Sequence, residues 1–156
     1  MTLHVVLLEP EIPQNTGNIA RTCVITNTVL HIIGPMGFSL DEKAVKRAGL
    51  DYWDLLDFRY YDSYQAFVEQ NPKAEIYYAT TKAEKAHSDV CYGEEVYVMF
   101  GKETAGIPKE ILEKNKEHCI RIPMLSIEKA RSLNLSNSVA IAVYEVLRQW
   151  NYPGMR

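Results

Sequence analysis

The 156-residue chain is poor in several features that mark large protein classes. Its three cysteines, Cys23, Cys91 and Cys119, are far apart and form no Cys-x-x-Cys pair, and His4, His31, His87 and His118 form no His-x-x-x-His pair. Neither a disulfide framework nor a zinc site is expected from such spacing, and reduced thiols fit a cytoplasmic protein. Long apolar runs are also missing: Leu3–Leu8 is ended by Glu9 and Pro10, too early for a signal peptide or a membrane span. Positive charge is not in excess, with 17 Lys and Arg against 20 Asp and Glu and a formal net charge of −3. A protein held to polyanions by massed cations is therefore excluded, although a local basic patch is not. No repeat, linker or low-complexity tract divides the chain.

The composition that remains is that of a folded domain. With 47% hydrophobic and 24% charged residues, the chain can bury a sizeable core as one unit over 1–156. Short apolar runs at Leu3–Leu8, Val29–Ile33, Ile76–Ala79, Val96–Phe100 and Cys119–Ile122 read as strands. Helical spacing is expected over Thr16–Thr26, 41–48, 63–70, 108–114 and 137–150. Strands of this length separated by helices predict an α/β fold with a mostly parallel sheet and helices on both faces.

Three segments at the ends of predicted strands could carry chemistry, because open α/β sheets place their ligands there. The first is Asn15-Thr16-Gly17-Asn18-Ile19-Ala20-Arg21, two amides and a glycine at an expected helix start with an arginine one turn in. Read alone, it is equally well a helix cap followed by a solvated arginine. The second is Phe100-Gly101-Lys102-Glu103-Thr104-Ala105-Gly106-Ile107-Pro108. It lacks the Lys-Ser/Thr of a phosphate-binding Walker loop and is not the Gly-x-Gly-x-x-Gly dinucleotide fingerprint. Taken alone it is more readily a turn. The third is Ile120-Arg121-Ile122-Pro123-Met124, followed by Arg131-Ser132-Leu133-Asn134-Leu135-Ser136-Asn137-Ser138 running directly into an apolar helix. One Ser or Asn suffices to cap a helix. The surplus here points to a loop that binds a polar ligand, with Ile122 and Met124 able to form an apolar slot for a flat ring.

In this order and spacing, Asn-x-Gly-Asn-x-x-Arg, Phe-Gly-x-Glu-x-x-Gly and Ile-Pro-Met with Arg-Ser-Leu-Asn-Leu-Ser-Asn resemble the SPOUT superfamily of RNA methyltransferases over nearly the whole chain. Glu9-Pro10-Glu11-Ile12-Pro13-Gln14, Ala48-Gly49-Leu50-Asp51-Tyr52 and Tyr152-Pro153-Gly154 resemble its minimal TrmL-like branch, which methylates the ribose 2′-oxygen of the tRNA wobble nucleotide. The resemblance implies a C-terminal deep trefoil knot, a rare exception to unknotted topology. It implies S-adenosylmethionine as cofactor and S-adenosylhomocysteine as product. The cofactor would be held by Ala79 and Thr80, Gly101, Ile122 and Met124, and Ser132, Leu133 and Asn134. It further implies a homodimer with an active site completed by both subunits, and the anticodon stem-loop of tRNA as substrate, in particular leucine tRNAs with C or modified U at nucleotide 34. Neither a membrane nor a metal enters. Leu125–Ala130 makes the cofactor loop longer than in the shortest relatives and can reshape its contacts.

The resemblance also assigns roles. Arg21 would be the catalytic residue acting on the 2′-hydroxyl, and Tyr144 would lie on the substrate side. An ordinary arginine, with a pKa above about 12, is a poor base. It acts either in an environment that lowers that value strongly or as a cation that stabilises the developing alkoxide. Asn18 and Asn137 are candidates for orienting Arg21 or the cofactor, while Glu103 is expected to brace its own loop. RNA contacts are expected among Lys43, Lys46, Arg47, Lys82, Lys85, Lys129 and Arg131. Tyr52, Trp53, Tyr60 and Tyr61 are candidates for stacking on bases, although most aromatic residues of this kind belong to the core. A 2′-O-methyltransferase for another tRNA position or for ribosomal RNA, and a knotted RNA-binding protein without activity, are the competing readings.

Overall fold

A computed structural model describes residues 1–39 and 51–156. The helix expected over 41–48, Lys43, Lys46 and Arg47, and most of the Ala48–Tyr52 segment lie outside the described residues. Seven parallel strands, β1 (Thr2–Leu8), β2 (Val29–Ile33), β3 (Phe58–Tyr61), β4 (Ile76–Ala79), β5 (Lys85–Ala86), β6 (Glu95–Phe100) and β7 (Cys119–Arg121), form one sheet in the order β3-β2-β1-β6-β4-β7-β5. The four described α-helices are α1 (Pro13–Ile25), α2 (Tyr64–Gln70), α3 (Lys109–Lys114) and α4 (Leu135–Gln149).

Strand alternation sorts the core into two layers. Leu3, Val5 and Leu7 of β1 face Ile19, Ala20 and Cys23 of α1, together with Val139, Ala142, Val143, Val146 and Leu147 of α4. Those α4 positions recur at three- and four-residue intervals, the apolar stripe of a helix buried along one side. Val6 and Leu8 point the other way, towards Phe67 of α2 and Ile111 and Leu112 of α3. Fully burying each such aliphatic side chain contributes about 1.5–3 kcal/mol. The second layer also holds a polar cluster. His4 Nδ1 lies 2.8 Å from His31 Nε2, His31 Nδ1 lies 3.0 Å from the Tyr61 hydroxyl, and His4 stacks on Tyr97 at 3.9 Å.

Two strands were not expected from the sequence. Phe58-Arg59-Tyr60-Tyr61 has no apolar run because β3 is an edge strand with only Tyr61 buried, and β5 has just two residues. Register aligns the carboxyl ends that matter. Leu7 pairs with Phe100, Phe100 with Ala79, and Ala79 with Ile120, so the loops after β4, β6 and β7 emerge together at one edge of the sheet.

Candidate active site at the strand ends

These loops enclose a cavity of about 510 Å³, within the range that holds small-molecule ligands. Ala79, Thr80, Gly101, Ile122, Met124, Ser132, Leu133 and Asn134 all line it. The half-buried Ile122 and Met124 supply apolar lining, and Ser132, Asn134 and Ser138 supply hydroxyl and amide groups. This combination fits a ligand with a flat ring, ribose hydroxyls and a polar tail. Arg131 also lines the cavity, from a left-handed backbone conformation, φ 59°.

Gly101 is required by the packing of its own loop. A Cβ there would collide with the main chain of Gly106 and Ile107. The loop folds back on itself, with the Gly106 amide donating to the Lys102 carbonyl at 2.8 Å and Gly106 at φ 70°, a value that favours glycine.

The three motifs are joined by hydrogen bonds. The Glu103 carboxylate accepts from the main-chain amides of Glu11 at 2.9 Å and Ile12 at 2.8 Å, and from Asn15 Nδ2 at 3.2 Å. Asn15 Oδ1 in turn accepts from Asn134 Nδ2 at 3.0 Å. Asn134 Oδ1 caps α4 by accepting from the Ser136 amide at 2.9 Å and its hydroxyl at 2.6 Å. Two expectations change. Asn15 and Thr16 do not precede α1 but lie inside it, because the helix begins at Pro13, a residue suited to the first helical position. Glu103 braces the first motif rather than its own loop. Ile12 has no side-chain oxygen with which to cap α1, and a carboxylate distant in sequence occupies that end. A charged acceptor there also matches the helix dipole.

Arg21 and Tyr144 lie outside the cavity lining, exposed on α1 and α4, two helices packed against each other. The Arg21 guanidinium carbon stands 5.2 Å from the Tyr52 ring centroid, and the Tyr52 hydroxyl donates to the Gly17 carbonyl at 3.1 Å. Tyr52, a base-stacking candidate in the sequence, thus touches both Arg21 and the main chain of α1. Trp53 packs on Phe58, Tyr61 is buried against His31, and Tyr60 is 45% exposed. Asn18 and Asn137 are exposed and away from the cavity wall. Lys82, Lys85, Lys129 and Arg131 are exposed, and Lys82 and Arg131 border the cavity. Among the described residues no group of three His, Cys, Asp or Glu could hold a metal ion, and no helix is long and apolar enough to cross a membrane.

The SpoU rRNA Methylase family matches residues 2–144. The chain belongs to this family. It is 49% identical to the tRNA (cytidine(34)-2′-O)-methyltransferase of Escherichia coli (strain K12), with 97% of this chain and 96% of the relative covered. A solved structure described by its work on the 2-OH methylation of C/U34 on tRNA superposes with a TM-score of 0.87. It is 41% identical, with 96% and 97% of the two chains covered. An RNA 2′-O ribose methyltransferase superposes with a TM-score of 0.79 at 26% identity, and the match spans 57% of that longer chain.

Proposed function

We propose that the protein methylates the ribose 2′-oxygen of nucleotide 34 in tRNA, a cytidine or a modified uridine, with leucine isoacceptors as the expected substrates. The observation that carries this reading is the joining of all three motifs around one cavity, in a chain 49% identical along its length to a tRNA (cytidine(34)-2′-O)-methyltransferase. The residues that would hold S-adenosylmethionine are Ala79, Thr80, Gly101, Ile122, Met124, Ser132, Leu133 and Asn134. Bound there, the cofactor supplies the methyl group and leaves as S-adenosylhomocysteine. The protein's share is positioning and charge. Arg21 acts on the 2′-hydroxyl, its guanidinium steadying the oxygen as negative charge develops and the hydroxyl proton is released to solvent. Tyr144 contacts the substrate side.

A homodimer is part of the proposal. Arg21 and Tyr144 are exposed on the α1–α4 face rather than in the cavity, an arrangement suited to a second subunit completing the site. A trefoil knot is proposed on the sheet order: β7 inserts between β4 and β5, and the chain then returns as α4 beside α1. The whole chain would act as one cytoplasmic domain on the anticodon stem-loop.

The test is methyl transfer from labelled S-adenosylmethionine to total tRNA, followed by mapping of the labelled nucleotide. Label at the 2′-oxygen of nucleotide 34 is the expected result. Label at another tRNA position, or only in ribosomal RNA, would move the substrate. Absence of both transfer and cofactor binding would favour an inactive RNA-binding protein.

A further inference from the structure

We propose that Glu11 and Thr104 are positioning residues for methyl transfer, forming with Glu103 a two-way clasp that sets the helix carrying Arg21 by the seating of the cofactor loop. This rests on the reading of Arg21 and the cavity given above.

The clasp is reciprocal. Glu11 Oε1 accepts from the Thr104 amide at 3.0 Å and from its hydroxyl at 2.8 Å, while Glu103 accepts from the Glu11 and Ile12 amides. Each segment thus grips the other's main chain with a carboxylate, across about ninety residues of sequence. Thr104's two donors hold the Glu11 carboxyl below its usual range, so it is ionised and accepting near neutral pH. A third tie runs from Lys102 Nζ to the Glu9 carboxylate at 3.9 Å, and Glu9 holds a left-handed conformation, φ 52°. That residue lies in the short connection between β1 and α1, two residues before Glu11.

The consequence is mechanical. Lys102, Glu103 and Thr104 line the cavity, so filling it fixes them. The clasp passes that constraint to Ile12 and Pro13, where α1 begins, and a rigid helix delivers it to Arg21. Glu11 and Thr104 are exposed, and polar contacts at such sites add little to folding stability. Their number and reciprocity are therefore better explained by geometry than by stability. Small misplacements of a reacting group cost rate steeply, roughly 100-fold for an ångström.

The experiment compares wild type, Glu11→Ala, Thr104→Val and Thr104→Ser by kcat at saturating cofactor and tRNA, by melting temperature, and by hydrogen exchange over 13–21 with and without S-adenosylmethionine. Thr104→Val removes the hydroxyl at nearly constant shape, and Thr104→Ser restores it. The clasp predicts that kcat falls about tenfold in Glu11→Ala and less in Thr104→Val, and recovers in Thr104→Ser, with melting temperatures close to wild type. Cofactor should slow exchange across 13–21 in the wild type and do so much less in Glu11→Ala. Unchanged kcat, or equal cofactor-induced protection in wild type and Glu11→Ala, would overturn the proposal. If the wild type methylates no RNA, the proposed function fails, and the exchange measurement still decides the clasp.

Discussion

Two polar networks in this molecule use similar side chains for opposite ends. At the carboxyl edge of the sheet, the half-buried Glu103 and the exposed Asn134, both in loops, meet through Asn15, a buried residue of α1. On one face of the sheet, His4, His31, Tyr61, Asn71 and Tyr97 form a chain of contacts among mostly buried groups, with Asn71 Nδ2 donating to the Tyr61 hydroxyl at 3.2 Å and Tyr97 donating to Asn71 Oδ1 at 3.4 Å. A buried polar group left unsatisfied is costly, so the second network enforces strand register and belongs to the stability of the fold. The first is buried only at Asn15, while Glu103 and Asn134 stay accessible, and its value lies in fixing two loops and the start of α1 relative to one another. The two clusters differ less in residue type than in extent of burial, a single buried amide in one and a mostly buried chain of groups in the other.

Substitutions sharpen that contrast, beginning with the largest effect. Arg21→Ala should lower methyl transfer by about 100-fold or more, the cost of losing one charge-stabilising donor, with calorimetric cofactor affinity preserved. Equal loss of binding would make Arg21 a structural residue. Gly101→Ala places a Cβ against the Gly106 and Ile107 main chain, which cannot yield as a side-chain tip can. Cofactor affinity should fall at least about tenfold, or about 1.4 kcal/mol, and calorimetry that finds wild-type affinity would show that the loop adapts.

The buried network predicts a pH dependence. Burial, with His4 and Arg59 nearby, holds His31 down at about 3 against an ordinary 6.5, and burial also lowers His4. Above pH 6.5 the imidazoles are neutral in both states. As the pH falls from 6.5 towards 3 the unfolded chain takes up protons that the folded one refuses, so stability drops by up to about 1.4 kcal/mol per pH unit for each such group. A His4→Phe/His31→Phe double variant should show a flatter acid limb in a plot of melting temperature against pH; an unaltered limb would assign acid sensitivity to the carboxylates alone. The smallest effect is expected from Tyr52→Leu, which removes the ring beside Arg21. An exposed cation–π contact contributes about 0.5–1 kcal/mol, so kcat should fall only a few-fold, with cofactor affinity unchanged. A drop as deep as that of Arg21→Ala would make Tyr52 far more than a support.

The cavity was legible in the sequence because its walls are contiguous motifs at strand ends. Gly101 and Ile122 with Met124 follow apolar runs whose parallel pairing delivers them to the same edge, and Ser132 to Asn134 stand directly before an apolar helix. The clasp was not legible. A carboxylate that caps a helix from some ninety residues away leaves no local pattern, and Asn15 looked like a cap because amides often are. Tyr52's role was hidden in the same way, since its partners are Arg21 and Gly17 from another segment. β3 was missed because an edge strand needs few buried side chains, and Phe58–Tyr61 offers an aromatic and charged run instead of an aliphatic one.

We propose that the loops after β4, β6 and β7 hold the methyl donor while Arg21 works from outside that cavity. The structure of the protein with S-adenosylhomocysteine tests it most directly. The ligand is expected between Thr80, Gly101, Met124 and Ser132–Asn134, with Arg21 free of contact with it. A ligand bound elsewhere, or one seated directly on Arg21, would contradict it.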